Sequence, residues 1–145
     1  MPTAHNLHLG HADEPYPDAF YVRRGDSEFL STLHAQGAWQ PGEQHLAAAA
    51  GLVLAEAERR LPSDKLVSRV SFDVLGVIHS GAFAIDVKMV RPGRSIELIE
   101  ATMRHGDQVS IHARIWRLSA SDTTRVQGPE WARLPPPEAM PRLTF

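Results

Sequence analysis

WQPGEQHLAAAAGLVLAEAERRL, residues 39–61 of a 145-residue chain, decides the fold. Alanine and leucine dominate from Leu46 to Ala57, Val53 is the one β-branched residue there, and no proline intervenes before Pro62, so helix propensity is high throughout. Leu46, Ala50, Val53, Leu54, Ala57 and Leu61 recur at spacings of three and four, which predicts one apolar stripe. The other side is barely polar until Glu56, Glu58, Arg59 and Arg60, which predicts a helix buried on most sides, with Glu56 at a solvated polar end. Pro41 and Gly42 mark the start, Glu43 is expected to place negative charge at the positive end of the dipole, and Pro62 stops the run.

Towards the N-terminus, Phe29, Ser31, Leu33 and Ala35 alternate with polar or small neighbours and predict a strand leading to Trp39. Phe20 and Val22 predict a shorter strand before it, and Arg24-Gly25-Asp26 between the two reads as a hairpin turn. Residues 1–18 form an irregular lead broken by Pro2, Gly10, Pro15 and Pro17. His5, His8 and His11 have a metal-like spacing for a helix, but the surrounding prolines and glycine oppose that helix, so no metal site is expected.

After Pro62 the period drops to two. Val70, Phe72 and Val74 share one face of a strand, with Arg69, Ser71 and Asp73 on the other. Phe83, Ile85, Val87 and Met89 line the next strand, with Asp86 and Lys88 outward, and Pro92-Gly93 turns the chain. In the third, Ile96 and Leu98 have one parity and Ile99, Ala101 and Met103 the other, which predicts a β-bulge near Ile99 or Glu100. A turn at His105-Gly106-Asp107 leads to a last strand carrying Val109, Ile111, Ala113 and Ile115. Short turns between long strands predict an antiparallel meander. Residues 119–145 hold five prolines and read as a tail, with Trp131, Leu134 and Phe145 as anchors.

One helix against such a sheet is an α+β arrangement: a single domain over residues 19–118, its sheet curled around the helix so that the stripe meets Val70, Phe72, Phe83, Ile85, Ile111 and Ile115. Curvature leaves sheet edges unpaired, which predicts association into a homodimer. A net charge of −2 with no basic cluster argues against nucleic acid. The chain has no cysteine and no run of apolar residues long enough to span a bilayer, which reads as a soluble cytoplasmic protein without disulfides or thiol chemistry.

The strand pair, the motif W-x-P-x-x-Q-H opening an alanine-rich helix (Trp39, Pro41, Gln44, His45), RVSFDVL at 69–75 and VRPGRS at 90–95 together resemble the hotdog fold. More narrowly they resemble the acyl-CoA thioesterase II-like branch of the thioesterase superfamily. Relatives commonly carry two hotdog units in tandem, whereas this chain has room for one. The resemblance therefore implies a homodimer, with a further pairing of dimers open, binding an acyl-CoA or other acyl thioester between subunits. Coenzyme A would enter as part of the substrate, and no separate cofactor is implied.

Thioester hydrolysis needs a polarised carbonyl and an activated water. Free N–H groups at the helix start can supply the first, with Gln44 or His45 holding the water or carbonyl. His45 is the candidate base and Asp73 the candidate acid facing an intersubunit groove. Trp39, Glu43 and Leu46 are placed to shape the pocket, and Arg91 and Arg94 either meet coenzyme A phosphates or pair with Glu97 or Glu100. Relatives often have two glycines after the equivalent histidine, where this chain has Leu46 and Ala47, and their usual acidic residue has no clear counterpart here. Hydrolase, non-catalytic acyl-binding module and structural interaction protein all stay open at this point.

Overall fold

The computed structural model describes residues 18–128 and 132–141. The three N-terminal histidines, Trp131 and Phe145 lie outside them. Strands β1 (Tyr21–Arg23) and β2 (Glu28–Ser31) form the expected hairpin around Arg24-Gly25-Asp26. The second strand is shorter than the alternation predicted. Thr32 turns it into a 3-10 turn at Leu33–Ala35 by accepting the His34 N–H on its hydroxyl, a local bond that competes with the sheet ladder.

The helix, α1, spans Leu46–Arg60 and is capped by His45, whose Nδ1 accepts the N–H of Ala47 at 3.1 Å. Residues 39–44 are not its first turn. Glu43 bridges His79, Gln44 bridges Gln36, and Gly42 has a φ of +87°, so Glu43 is held in a loop and does not serve the dipole. At the other end Arg59 and Arg60 occupy the last turn before Pro62.

Four long strands follow: β3 (Leu66–Val74), β4 (Ala82–Arg91), β5 (Ile96–His105) and β6 (Gln108–Leu118). The sheet order is β1-β2-β4-β5-β6-β3, antiparallel at every pairing. Only β4, β5 and β6 meander. β3 pairs with β6 on the far side of the sheet, so the segment after it must cross back to begin β4. The bulge expected on β5 is on its neighbour: Met89 opposes Ile99 and Arg91 opposes Leu98, leaving Val90 as the extra residue. The parity change in β5 is instead a change of face, because its register against β6 runs unbroken from Ile96 to Met103.

The concave face of the sheet carries the core. Phe29, Phe83, Ile85, Ile99, Ala101, Met103, Ile111, Ala113 and Ile115 meet Ala49, Val53 and Ala57 of α1, with Val70 and Phe72 packed beside them. Each large side chain buried there contributes about 1.5–3 kcal/mol. The helix is not wrapped on most sides: Ala47, Gly51 and Ala55 are exposed, and Leu46 keeps 41% of its surface. The convex face is polar, with Lys88 paired to Glu100 and Arg104 to Asp86. Downstream, 3-10 turns at Thr124–Val126 and Pro137–Ala139 are the regular elements among the described tail residues, and Leu134 is 90% exposed and anchors nothing.

Candidate functional site at the start of the helix

The start of α1 opens onto a pocket of about 680 Å³ lined by Phe20, Tyr21, His34, Gln36, His45, Ala47, Ala48, Gly51, Leu52 and Ala55. Its floor is the exposed face of the helix, and its walls come from β1 and the 3-10 turn. Apolar side chains dominate the far part, while His34, Gln36 and His45 gather at the helix start, the layout of a ligand site for a molecule with one polar end.

The cap determines what the helix start can do. Because Nδ1 of His45 accepts from Ala47, the ring proton sits on Nε2, which is left as a donor. The carbonyl of His45 takes the N–H groups of Ala48 and Ala49 at 3.1 and 3.3 Å. Of the first-turn donors, only the N–H of Leu46 has no acceptor among the described residues. One backbone N–H and one imidazole N–H therefore remain available at the positive end of the dipole, a pair suited to a carbonyl oxygen that gains negative charge.

Gln44 does not reach this mouth. It is 6% exposed, its Nε2 donates to the His79 carbonyl at 2.6 Å, and its own N–H donates to Ile78 at 2.7 Å. It clamps the loop before α1 onto the segment between β3 and β4. The His79 ring in turn meets the His105 ring edge-on at 5.8 Å, and His105 Nδ1 is 3.2 Å from the Ser110 hydroxyl. Burial, partly opposed by the His79 backbone, pushes the His105 imidazole below its ordinary value and keeps it neutral. Gln44 Oε1 and His105 Nε2 are buried without partners among the described residues. Tyr21, in the pocket wall, likewise keeps a buried unpartnered hydroxyl, and burial raises its pKa.

The remaining sequence candidates are dispersed. Asp73 opposes His112 on β6, on the face of the sheet away from α1, with 3.9 Å between its carboxylate and the imidazole. Trp39 is 90% exposed, and both it and Glu43, whose backbone bridges His79, are outside the pocket lining. Arg91 donates across its own hairpin to the Ile96 carbonyl at 3.3 Å and Arg94 is exposed. Neither takes up the glutamate pairing considered for it, since Glu97 is held by Lys65 and Glu100 by Lys88 and His112. Their hairpin lies where α1 ends, because Glu97 pairs with Arg117 and Arg117 binds the last carbonyls of the helix. The length of α1, roughly 22 Å, separates them from His45 of the same chain. Tyr21, His34 and Gln36 went unnoticed in the sequence because they reach the pocket from a hairpin and a 3-10 turn with no periodicity of their own.

A curved antiparallel sheet holding one long helix in its hollow is the hotdog architecture, and solved structures share it. A hot dog fold protein from Alicyclobacillus acidocaldarius superposes with a TM-score of 0.61 at 17% identity, over 86% of this chain and 47% of that one. The tesB protein of Mycobacterium avium subspecies paratuberculosis gives 0.58 at 18% identity, over 82% of this chain and 46% of that one. A Bacillus halodurans protein solved with CoA gives 0.54 at 10% identity, over 64% and 69%. The chain thus spans about half the length of the first two. A comparison with curated proteins finds no match. The acyl-CoA thioesterase N-terminal domain family matches residues 35–118, from the 3-10 turn to the end of β6, and the chain belongs to that family.

Proposed function

We propose that this protein binds an acyl-CoA or related acyl thioester at the start of α1, in a crevice completed by a second copy of the chain. The observation that carries the reading is the pair of free donors, Leu46 N–H and His45 Nε2–H, at the polar end of a 680 Å³ pocket. The thioester carbonyl accepts from both, and the acyl group lies over Ala47, Ala48 and Gly51. The second copy is supported by β3, the edge strand opposite β1, where Leu66, Val67 and Val74 are exposed, and by two longer solved structures of this fold of which the chain covers about half. Such a copy is the source of phosphate contacts from Arg91 and Arg94, which one chain holds too far from its own His45. The cysteine-free composition supports a cytoplasmic setting, and no helix among the described residues is long and apolar enough to cross a membrane.

Hydrolysis requires in addition a group that activates water. No Asp or Glu lines the pocket among the described residues, and His45 offers an N–H where a base would need a lone pair. That observation favours a second reading, a non-catalytic acyl-thioester binding module, over turnover by one chain alone. Incubating the protein with a panel of acyl-CoA esters, while following both binding by calorimetry and release of free thiol, separates the readings. Binding with release supports a hydrolase assembled between copies; binding without release supports the module; absence of binding across the panel rejects the proposal.

His45 itself is testable. His45→Ala removes the cap and the donor together, and is expected to cost about 1 kcal/mol of stability along with at least tenfold in acyl-CoA affinity. His45→Asp restores a good cap with a side chain that has no donor, so thermal stability returns while the affinity does not. Recovery of affinity with aspartate would show that His45 acts on the helix alone.

A further inference from the structure

We infer that Gly51 sets the length of the acyl chain this protein accepts. The inference rests on the reading of the helix start as the thioester site. Glycine is the poorest ordinary residue for a helix interior after proline, yet Gly51 stands at the sixth position of a 15-residue helix. The usual reasons for it are absent. Its φ is not in the left-handed region, and a Cβ built on it meets no atom within 4 Å, so neither backbone strain nor close packing demands a glycine there. What the missing side chain leaves is open space in the floor of the pocket.

Ala47, Gly51 and Ala55 follow one another at intervals of four and form a single track along the helix, flanked by Ala48 and Leu52 and walled by Phe20 and Tyr21. The track begins at the two free donors, so a chain whose carbonyl sits there runs along it. An aliphatic chain fits the apolar walls and needs no polar partner beyond the mouth. At 1.5 Å per residue the track from Ala47 to Ala55 is about 12 Å long, with Gly51 about 6 Å along it. An extended chain with C–C bonds of about 1.52 Å advances roughly 1.25 Å per bond, so about five carbons reach Gly51 and about ten reach Ala55. A side chain at position 51 therefore obstructs medium chains more than short ones.

The experiment compares wild type, Gly51→Ala and Gly51→Leu by titration with butyryl-CoA and decanoyl-CoA, with thermal melting and light scattering on each protein. Both substitutions put a better helix former at an open position, so Tm is expected to rise by about 2–4 °C. Gly51→Leu is expected to lose at least tenfold more affinity for decanoyl-CoA than for butyryl-CoA, with Gly51→Ala between it and wild type. Unchanged decanoyl-CoA affinity, or equal loss for both esters, overturns the inference while leaving the thioester site in place. A loss of assembly mass in Gly51→Leu overturns it in favour of a second copy packed on this track. If wild type binds neither ester, the thioester reading itself falls and this inference with it.

Discussion

Replacing Glu56 by alanine is expected to destabilise the fold by about 3–5 kcal/mol, measured by denaturant unfolding at neutral pH. Glu56 is 1% exposed, on the side of α1 that faces the sheet. Arg23 from β1 forks onto its carboxylate, Arg59 reaches it at 3.0 Å and Arg60 at 3.2 Å, while Asp26 in the β1–β2 turn bridges Arg59 from outside at 3.3 Å. The cluster ties the first hairpin to the last turns of the helix, and Arg23 also lies over the Phe29 ring at 4.6 Å. Removing the carboxylate leaves three guanidiniums facing one another, and the half-exposed Arg23 and Arg59 regain water more easily than Arg60.

The same cluster predicts acid sensitivity. Burial raises the pKa of Glu56, but the three guanidiniums outweigh it and hold the carboxyl at about 2, against an ordinary value of 4.5. Since the folded value lies below the unfolded one, the stabilisation is complete above about pH 4.5 and is lost as pH falls towards 2. The loss is about 3 kcal/mol over that window. Glu97, held down by Lys65, and Glu100, held down by Lys88, act in the same direction. Glu56→Gln keeps the shape without the charge, so its unfolding free energy is expected to fall less steeply over the same pH range. An equally steep fall would assign the acid sensitivity to other carboxylates.

Arg117→Leu is expected to cost about 2–4 kcal/mol, through lost hydrogen bonds and not through lost volume. Arg117 is 2% exposed on the concave face of β6, and its guanidinium donates to the carbonyls of Ala57 (3.0 Å) and Leu61. The Leu61 carbonyl lies just past the last turn, where a helix end supplies no partner, while the Ala57 carbonyl also accepts the Leu61 N–H at 3.1 Å; a cation there complements the negative end of the dipole. The nearby Glu97 balances its charge. Leucine fills the space but leaves the Leu61 carbonyl dry and the Ala57 carbonyl with the Leu61 N–H alone. The loss is therefore expected chiefly as fraying of residues 57–61, read by amide hydrogen exchange, before global unfolding. Exchange in that segment unchanged from wild type would remove Arg117 from the helix cap.

The two predictions mark where local pattern stops being informative. Arg59 and Arg60 follow Glu56 by three and four residues, so part of the cluster was visible along the helix. Its burial was not, because the residue that closes it, Arg23, lies 33 positions away on a hairpin. Arg117 carried no signal, since a polar residue at the end of an alternating strand reads as the start of solvent. The pocket was half legible: His45 comes from the helix start, with the Leu46 side chain outside the lining, while Phe20, Tyr21, His34 and Gln36 arrive through pairing. Asp73 was placed on the correct strand face by alternation, but nothing in alternation says which side of a sheet a helix will cover.

By itself the sequence determined the helix, the four long strands and the apolar faces that join them, because side-chain period and propensity act within a few residues and are written along the chain. Only the tertiary structure decided that β3 crosses to the far edge beside β6, that Glu56 is interior, and that the small-residue face of α1 is left open above a pocket. Those outcomes depend on which surfaces meet after tens of residues of intervening chain, and a local pattern specifies that a face is apolar without specifying its partner.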